Sequence, residues 1–77
     1  MLLEIITPDK TVYSGEVTAV QFPGSEGSFG ILKNHSPLIS TLKKGKIKVT
    51  TGNSNAEFDV KGGVVEVLNN KITVLAE

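Results

Sequence analysis

Apolar residues recur at every second position in several short runs and nowhere at helical spacing. Residues 46–50, Lys-Ile-Lys-Val-Thr, alternate without a break, placing Ile47 and Val49 on one side and the lysines in water. Residues 57–61 do the same with Phe58 and Val60 inward. Thr51-Gly52-Asn53-Ser54-Asn55 between them is loop-forming, so the two runs read as an antiparallel hairpin whose Lys and Asp/Glu outer faces suit each other. Residues 64–68 and 71–75 form a second pair around Asn69-Asn70, a tight-turn signal because Asn tolerates positive φ. Gly62-Gly63 bends the chain between the pairs. Residues 2–7 make a first strand with Leu3 and Ile5 on one face and Leu2 and Ile6 on the other, which implies cover on both sides. Pro8-Asp9-Lys10 turns the chain. Residues 11–22 are β-rich, and Ser14-Gly15 is expected to split them at a bulge or turn. Residues 28–32 and 38–42 add brief strands, and Lys44-Gly45 turns the chain again. Many short strands with Gly/Asn turns, without repeat or linker, predict an all-β sandwich or barrel.

One stretch departs from this rhythm. Residues 23–38, Pro-Gly-Ser-Glu-Gly-Ser-Phe-Gly-Ile-Leu-Lys-Asn-His-Ser-Pro-Leu, hold three glycines, two of the prolines and the only histidine. Ordering a long irregular segment in a small strand-rich chain is costly, so function is expected there. Glu26, Phe29 and Ile31 on a Gly/Pro framework would give a mixed polar and apolar contact surface.

Composition narrows the function classes. Seventy-seven residues suit one domain with modest burial and marginal stability, a hint of a stabilising partner. With 39% hydrophobic but only 5% aromatic residues, the core must be aliphatic. No cysteine is present, so neither disulfides nor thiolate metal sites can compensate. Eight lysines balance eight acidic residues with no arginine, poor footing for nucleic-acid binding. One Tyr and three Phe are few for an oligonucleotide-binding barrel. No apolar run approaches a membrane helix, and Met1-Leu2-Leu3-Glu4 lacks the basic start of a signal peptide, so a soluble intracellular chain is expected.

Candidate chemistry is sparse. His35 is followed directly by Ser36, and adjacent side chains rarely face each other; bracing its own loop is the expected role, not catalysis. A lone histidine does not build a zinc site, and no metal or other cofactor is expected. Gly24, Gly27 and Gly30 recur every third residue, unlike the dinucleotide fingerprint, and no helix follows to receive a phosphate. Lys43, Lys44, Lys46 and Lys48 read as a solvated strand face, with edge lysines discouraging aggregation. Asp9-Lys10 in a turn raises one rival, a lipoyl- or biotinyl-type carrier modified at Lys10. In those domains, however, the lysine lies near mid-chain with different flanks. The residues favour a non-catalytic binding or coupling module.

The quoted loop, extended as Val20-Gln21-Phe22 through Ile39, resembles the signature of the epsilon-subunit family of rotary ATP synthase. The matching elements are Pro-Gly-x-x-Gly-x-Phe-Gly-Ile-Leu from Pro23, then Asn-His-x-Pro-Leu from Asn34. Tyr13-Ser14-Gly15, Lys61-Gly62-Gly63-Val64-Val65-Glu66-Val67 and Val74-Leu75-Ala76-Glu77 agree in order along residues 1–77. The resemblance implies a flattened β-sandwich of about ten strands in two sheets. It further implies a central-stalk subunit without an active site, peripheral to the cytoplasmic face of the inner membrane. Such a subunit grips gamma, rests on the ring of c subunits and couples ion-driven rotation to ATP synthesis. Carried over by position, the ring-facing loop is Glu26, Gly27, Ser28, Phe29 and Gly30, with His35 in the neighbouring loop. Many relatives have an acidic residue where this chain has Ser28, so Glu26 is expected to supply nearby charge. Typical bacterial relatives continue into a two-helix hairpin that inhibits ATP hydrolysis and in some binds ATP. This sequence stops at Glu77, so both properties are expected to be absent.

Overall fold

The computed structural model describes residues 1–77 as nine strands without a helix. These are β1 (Leu2–Ile6), β2 (Thr11–Glu16), β3 (Ala19–Phe22), β4 (Phe29–Leu32), β5 (Leu38–Leu42), β6 (Gly45–Thr51), β7 (Ser54–Val60), β8 (Gly63–Leu68) and β9 (Lys71–Ala76). They form a five-stranded sheet in the order β2-β1-β9-β8-β5 and a four-stranded sheet in the order β4-β3-β6-β7. All pairings are antiparallel except β1 with β9, which joins the two ends of the chain in parallel.

Alternation decides what lies between the sheets. Leu3, Ile5, Val65, Val67, Ile72, Val74 and Ala76 point inward from the larger sheet, and Val20, Phe22, Ile31, Ile47, Val49 and Val60 from the smaller. The core of fifteen buried residues is aliphatic apart from Phe22, as the composition requires. Both open edges are closed, one by a side-chain contact and the other by a backbone bridge. Tyr13 on β2 meets Phe58 on β7 with ring centroids 5.3 Å apart. At the other edge an isolated bridge pairs Gly24 with Leu42 of β5.

Several local expectations shift. The chain breaks at Val17-Thr18 between β2 and β3, not at Ser14-Gly15. Gly15 lies within β2, paired with Leu3, and the Tyr13 ring folds over it; a Cβ there would stand 3.3 Å from the Tyr13 hydroxyl. The irregularity sits nearby: Ile5 pairs with Tyr13 and Ile6 with Thr11, leaving Val12 as the extra bulged residue. The β6–β7 connection shortens to Gly52-Asn53, because Thr51 pairs with Ser54 and Thr50 with Asn55. Lys46 and Lys48 guard no edge, since β6 lies between β3 and β7. The exposed edge β7 carries Glu57 and Asp59 instead, and charge on an edge strand blunts it equally well.

Candidate contact surfaces

The strand directions sort every loop to one of two ends. β3 runs toward Pro23, and β6 begins beside it, with Gly45 close to the Pro23 ring. Lys43 N–H donates to Pro23 O at 2.9 Å. The β3–β4 loop therefore shares its end with residues 43–44 and 61–62. The opposite end gathers Met1, residues 17–18, residues 33–37 and the turns at 52–53 and 69–70. Val17 N–H to Met1 O, Thr18 N–H to Thr50 O and Leu2 N–H to Asn70 O, at 2.8–3.0 Å, hold that end together.

The β3–β4 tip is a stapled hairpin. Gly27 N–H closes a turn onto Gly24 O at 3.0 Å, and Ser25 N–H donates to Thr41 O at 3.0 Å. Thr41 Oγ1 donates to Ser25 Oγ at 2.9 Å. Phe22 and Phe29 pack across the base with centroids 5.6 Å apart. A Cβ on Gly24 would stand 2.5 Å from Gly27 O and 2.7 Å from the Phe29 ring, so only glycine fits. The staple leaves Glu26, Gly27 and Ser28 exposed at the tip, with Phe29 half-buried beneath. Gly27 has φ +132°, in the range that favours glycine. Gly30 differs: it lies within β4, and its nearest neighbour to an added Cβ is Val20 O at 3.8 Å.

His35 stands elsewhere. The four residues of β4 separate it from the tip by about 13 Å of strand. Its Nδ1 lies 2.7 Å from Ser36 O and its backbone N–H donates to Leu32 O at 3.2 Å, so the side chain braces its own turn. Of the six residues singled out in sequence, the fold thus brings together Glu26, Gly27, Ser28, Phe29 and Gly30 and sets His35 at the other end.

A broad surface, hinted at in the sequence by the two-sided first strand, takes shape in the fold. The outer face of the five-stranded sheet carries an apolar row, Val64, Leu75 and Ile6, aligned across β8, β9 and β1. A second row has Leu68 and Leu2 flanking Lys71. Ile39 stands beyond on β5, directly opposite Glu66. Ile39 is 72%, Leu75 57%, Leu68 47% and Val64 39% exposed. The polar row between, Glu66, Thr73 and Glu4, is tied by the Lys71–Glu4 ion pair at 3.3 Å. The signal was present in the double-sided apolar pattern of residues 2–6 and 64–68. By contrast, the outer face of the smaller sheet is mostly polar. There Lys46 Nζ donates to Asp59 at 3.0 Å and lies 3.9 Å from Glu57. The Asp59 hydrogen bond, chiefly, raises the Lys46 pKa above the ordinary 10.5.

No group of three His, Cys, Asp or Glu side chains is placed to hold a metal. No helix is long and apolar enough to cross a membrane. Lys10 is exposed, with its backbone bound to Thr7 on both sides.

A two-sheet sandwich with one stapled loop and one apolar outer face belongs to the class of small all-β sandwich domains. The profile of the ATP synthase delta/epsilon-chain β-sandwich domain matches residues 1–77, and the chain belongs to that family. It is similar to the ATP synthase epsilon chain of Caulobacter vibrioides, 44% identical over 95% of this chain and 85% of that one. To the epsilon chain of Maridesulfovibrio salexigens it is 51% identical over its whole length, which spans only 54% of the relative. Among solved structures, a chain of the Euglena gracilis mitochondrial ATP synthase superposes with TM-score 0.92 at 20% identity, covering 99% of this chain and 49% of that one. A chain of the Tetrahymena thermophila enzyme's central stalk and c-ring superposes with TM-score 0.85 at 20% identity, covering 99% and 62%. Those two likenesses concern the fold. The carrier reading, with modification at Lys10, finds no support among these matches.

Proposed function

We propose that the chain serves as the sandwich of an epsilon subunit in the central stalk of ATP synthase, coupling ion-driven rotation to ATP synthesis without an active site of its own. The observation that carries this reading is the exposed apolar face of the five-stranded sheet. In a chain this small, contiguous aliphatic rows on an outward face mark a surface that a partner covers. The partner is gamma, laid across Val64, Leu75, Leu68 and Ile39. The c-subunit ring meets the opposite kind of surface, the polar tip formed by Glu26, Gly27 and Ser28 over Phe29 and Gly30. A flat ring reaches one end of the sandwich, so His35, four residues before Ile39 in sequence and at the other end, falls to the gamma contact. The subunit then lies peripherally at the cytoplasmic face of the inner membrane.

Capture from extract tests the reading. Tagged chain is expected to retain gamma and the catalytic head. An Ile39→Ser, Leu75→Ser variant is expected to lose gamma while its circular dichroism stays that of the parent. Undiminished capture of gamma by that variant removes the face assignment. Recovery of the parent alone, from membranes holding intact synthase, removes the reading altogether.

A further inference from the structure

At the end away from the β3–β4 tip, two asparagines grip each other. Asn34 donates its backbone N–H to Asn70 Oδ1 at 2.7 Å, and Asn70 Nδ2 donates to Asn34 Oδ1 at 3.0 Å. Both have positive φ, 64° and 59°. Glycine would satisfy either backbone with less strain. What asparagine adds is the amide, and both amides are spent on this one contact. Residues 33–37 are otherwise thinly held: all five are exposed, and their remaining bonds run to Leu32 at the end of β4 and to Ser36 within the segment. The amide pair thus supplies the hydrogen bonds that fasten this segment to the five-stranded sheet.

We propose that Asn34 and Asn70 form a positioning clamp, which fixes residues 33–37 and so sets where His35 stands before gamma arrives. The inference rests on the reading that His35 belongs to the gamma contact. Its physical basis is preorganisation: a segment already ordered loses less freedom on binding.

Asn70→Gly keeps the left-handed turn and deletes both bonds. Asn34→Gly deletes only the one accepted by its side chain. Both are made in the full-length subunit and assayed against gamma of the same organism, with His35→Ala alongside. In Asn70→Gly the Asn34 amide is expected to exchange with solvent about fivefold faster, the equivalent of one ordinary hydrogen bond. Gamma affinity is expected to fall about threefold to tenfold, mostly in the off-rate. Asn70→Asp, which still accepts from the Asn34 N–H, is expected to recover part of the loss. The double Asn34→Gly, Asn70→Gly variant is expected to bind no worse than Asn70→Gly alone, since the contact is shared. If His35→Ala weakens gamma binding and Asn70→Gly does not, the clamp is refuted and the contact stands. If His35→Ala has no effect, the contact reading falls and the clamp's role with it. Additive losses in the double variant, or unchanged exchange at Asn34, also overturn the clamp.

Discussion

Three glycines spaced by three look alike in the sequence, and their surroundings make each different. Gly24 is fixed by close approach of the Phe29 ring and the Gly27 carbonyl. Gly27 has open space around it but a φ of +132°, so a side chain there is strained whatever the room. Gly30 has neither constraint. A β-branched residue is therefore expected to distort the loop at Gly27 and to be accommodated at Gly30. Gly27→Val is expected to cost about 1–3 kcal/mol of stability through backbone strain. Gly30→Val, in an outward strand position, should stay within about 0.5 kcal/mol of the parent. For a chain of this size, each kcal/mol shifts the melting midpoint by about 4–8 °C, so a thermal scan separates them. Equal shifts would mean that loop closure, and not φ, governs the tip.

Strand positions were legible wherever apolar and polar residues alternate. β6, β7, β8 and β9 follow directly from Ile47/Val49, Phe58/Val60, Val65/Val67 and Ile72/Val74. Asn69-Asn70 turned as its composition implied, with φ 52° and 59°. What alternation cannot carry is which strand neighbours which. Lysines on β6 look the same on an edge as in a sheet interior, and only the pairing with β3 tells them apart. The bulge at Val12 was missed for a related reason: Gly15 is the more conspicuous residue, yet the bulge depends on the register against β1. Of the candidate contacts, the tip was legible because its glycines and prolines are local. The separation of His35 was not, because it takes the direction of β4 to show it.

At the same scale, β6 and β7 are joined on their outer face by Lys46 with Asp59. Because the folded pKa of Lys46 is raised, its contribution to stability is fully present below the ordinary value of 10.5 and disappears as pH climbs through the raised folded value. The pair is exposed, so the effect is small and screened by salt. Lys46→Met is expected to remove the difference in melting midpoint between pH 9 and strongly alkaline solution that this pair contributes. Titrations with 1 M salt should shrink it in the parent as well, given a Debye length of about 3 Å.

For the whole molecule, the sandwich has one core and two unlike outer surfaces. Ile47 is wholly buried in that core, and Ile47→Ala is expected to cost about 2–5 kcal/mol, enough to unfold a marginal chain at moderate temperature. The outer face of the five-stranded sheet behaves in the opposite way. Leu75 and Ile39 are more than half exposed, so exchanging them for serine removes little burial in the free chain. Under the proposed function, gamma changes this by covering the rows. A partner that binds only the folded state at a hundred times its dissociation constant adds about 2.7 kcal/mol. On a chain of this length that raises the melting midpoint by about 10–20 °C. The parent is therefore expected to melt well above its free value when gamma is in excess. Ile39→Ser, Leu75→Ser should melt near the parent alone and gain almost nothing from gamma. A variant that loses stability without gamma would show that these side chains support the fold itself. A variant that still gains the full shift would place gamma on another surface, leaving the apolar rows of β1, β8 and β9 to a different partner.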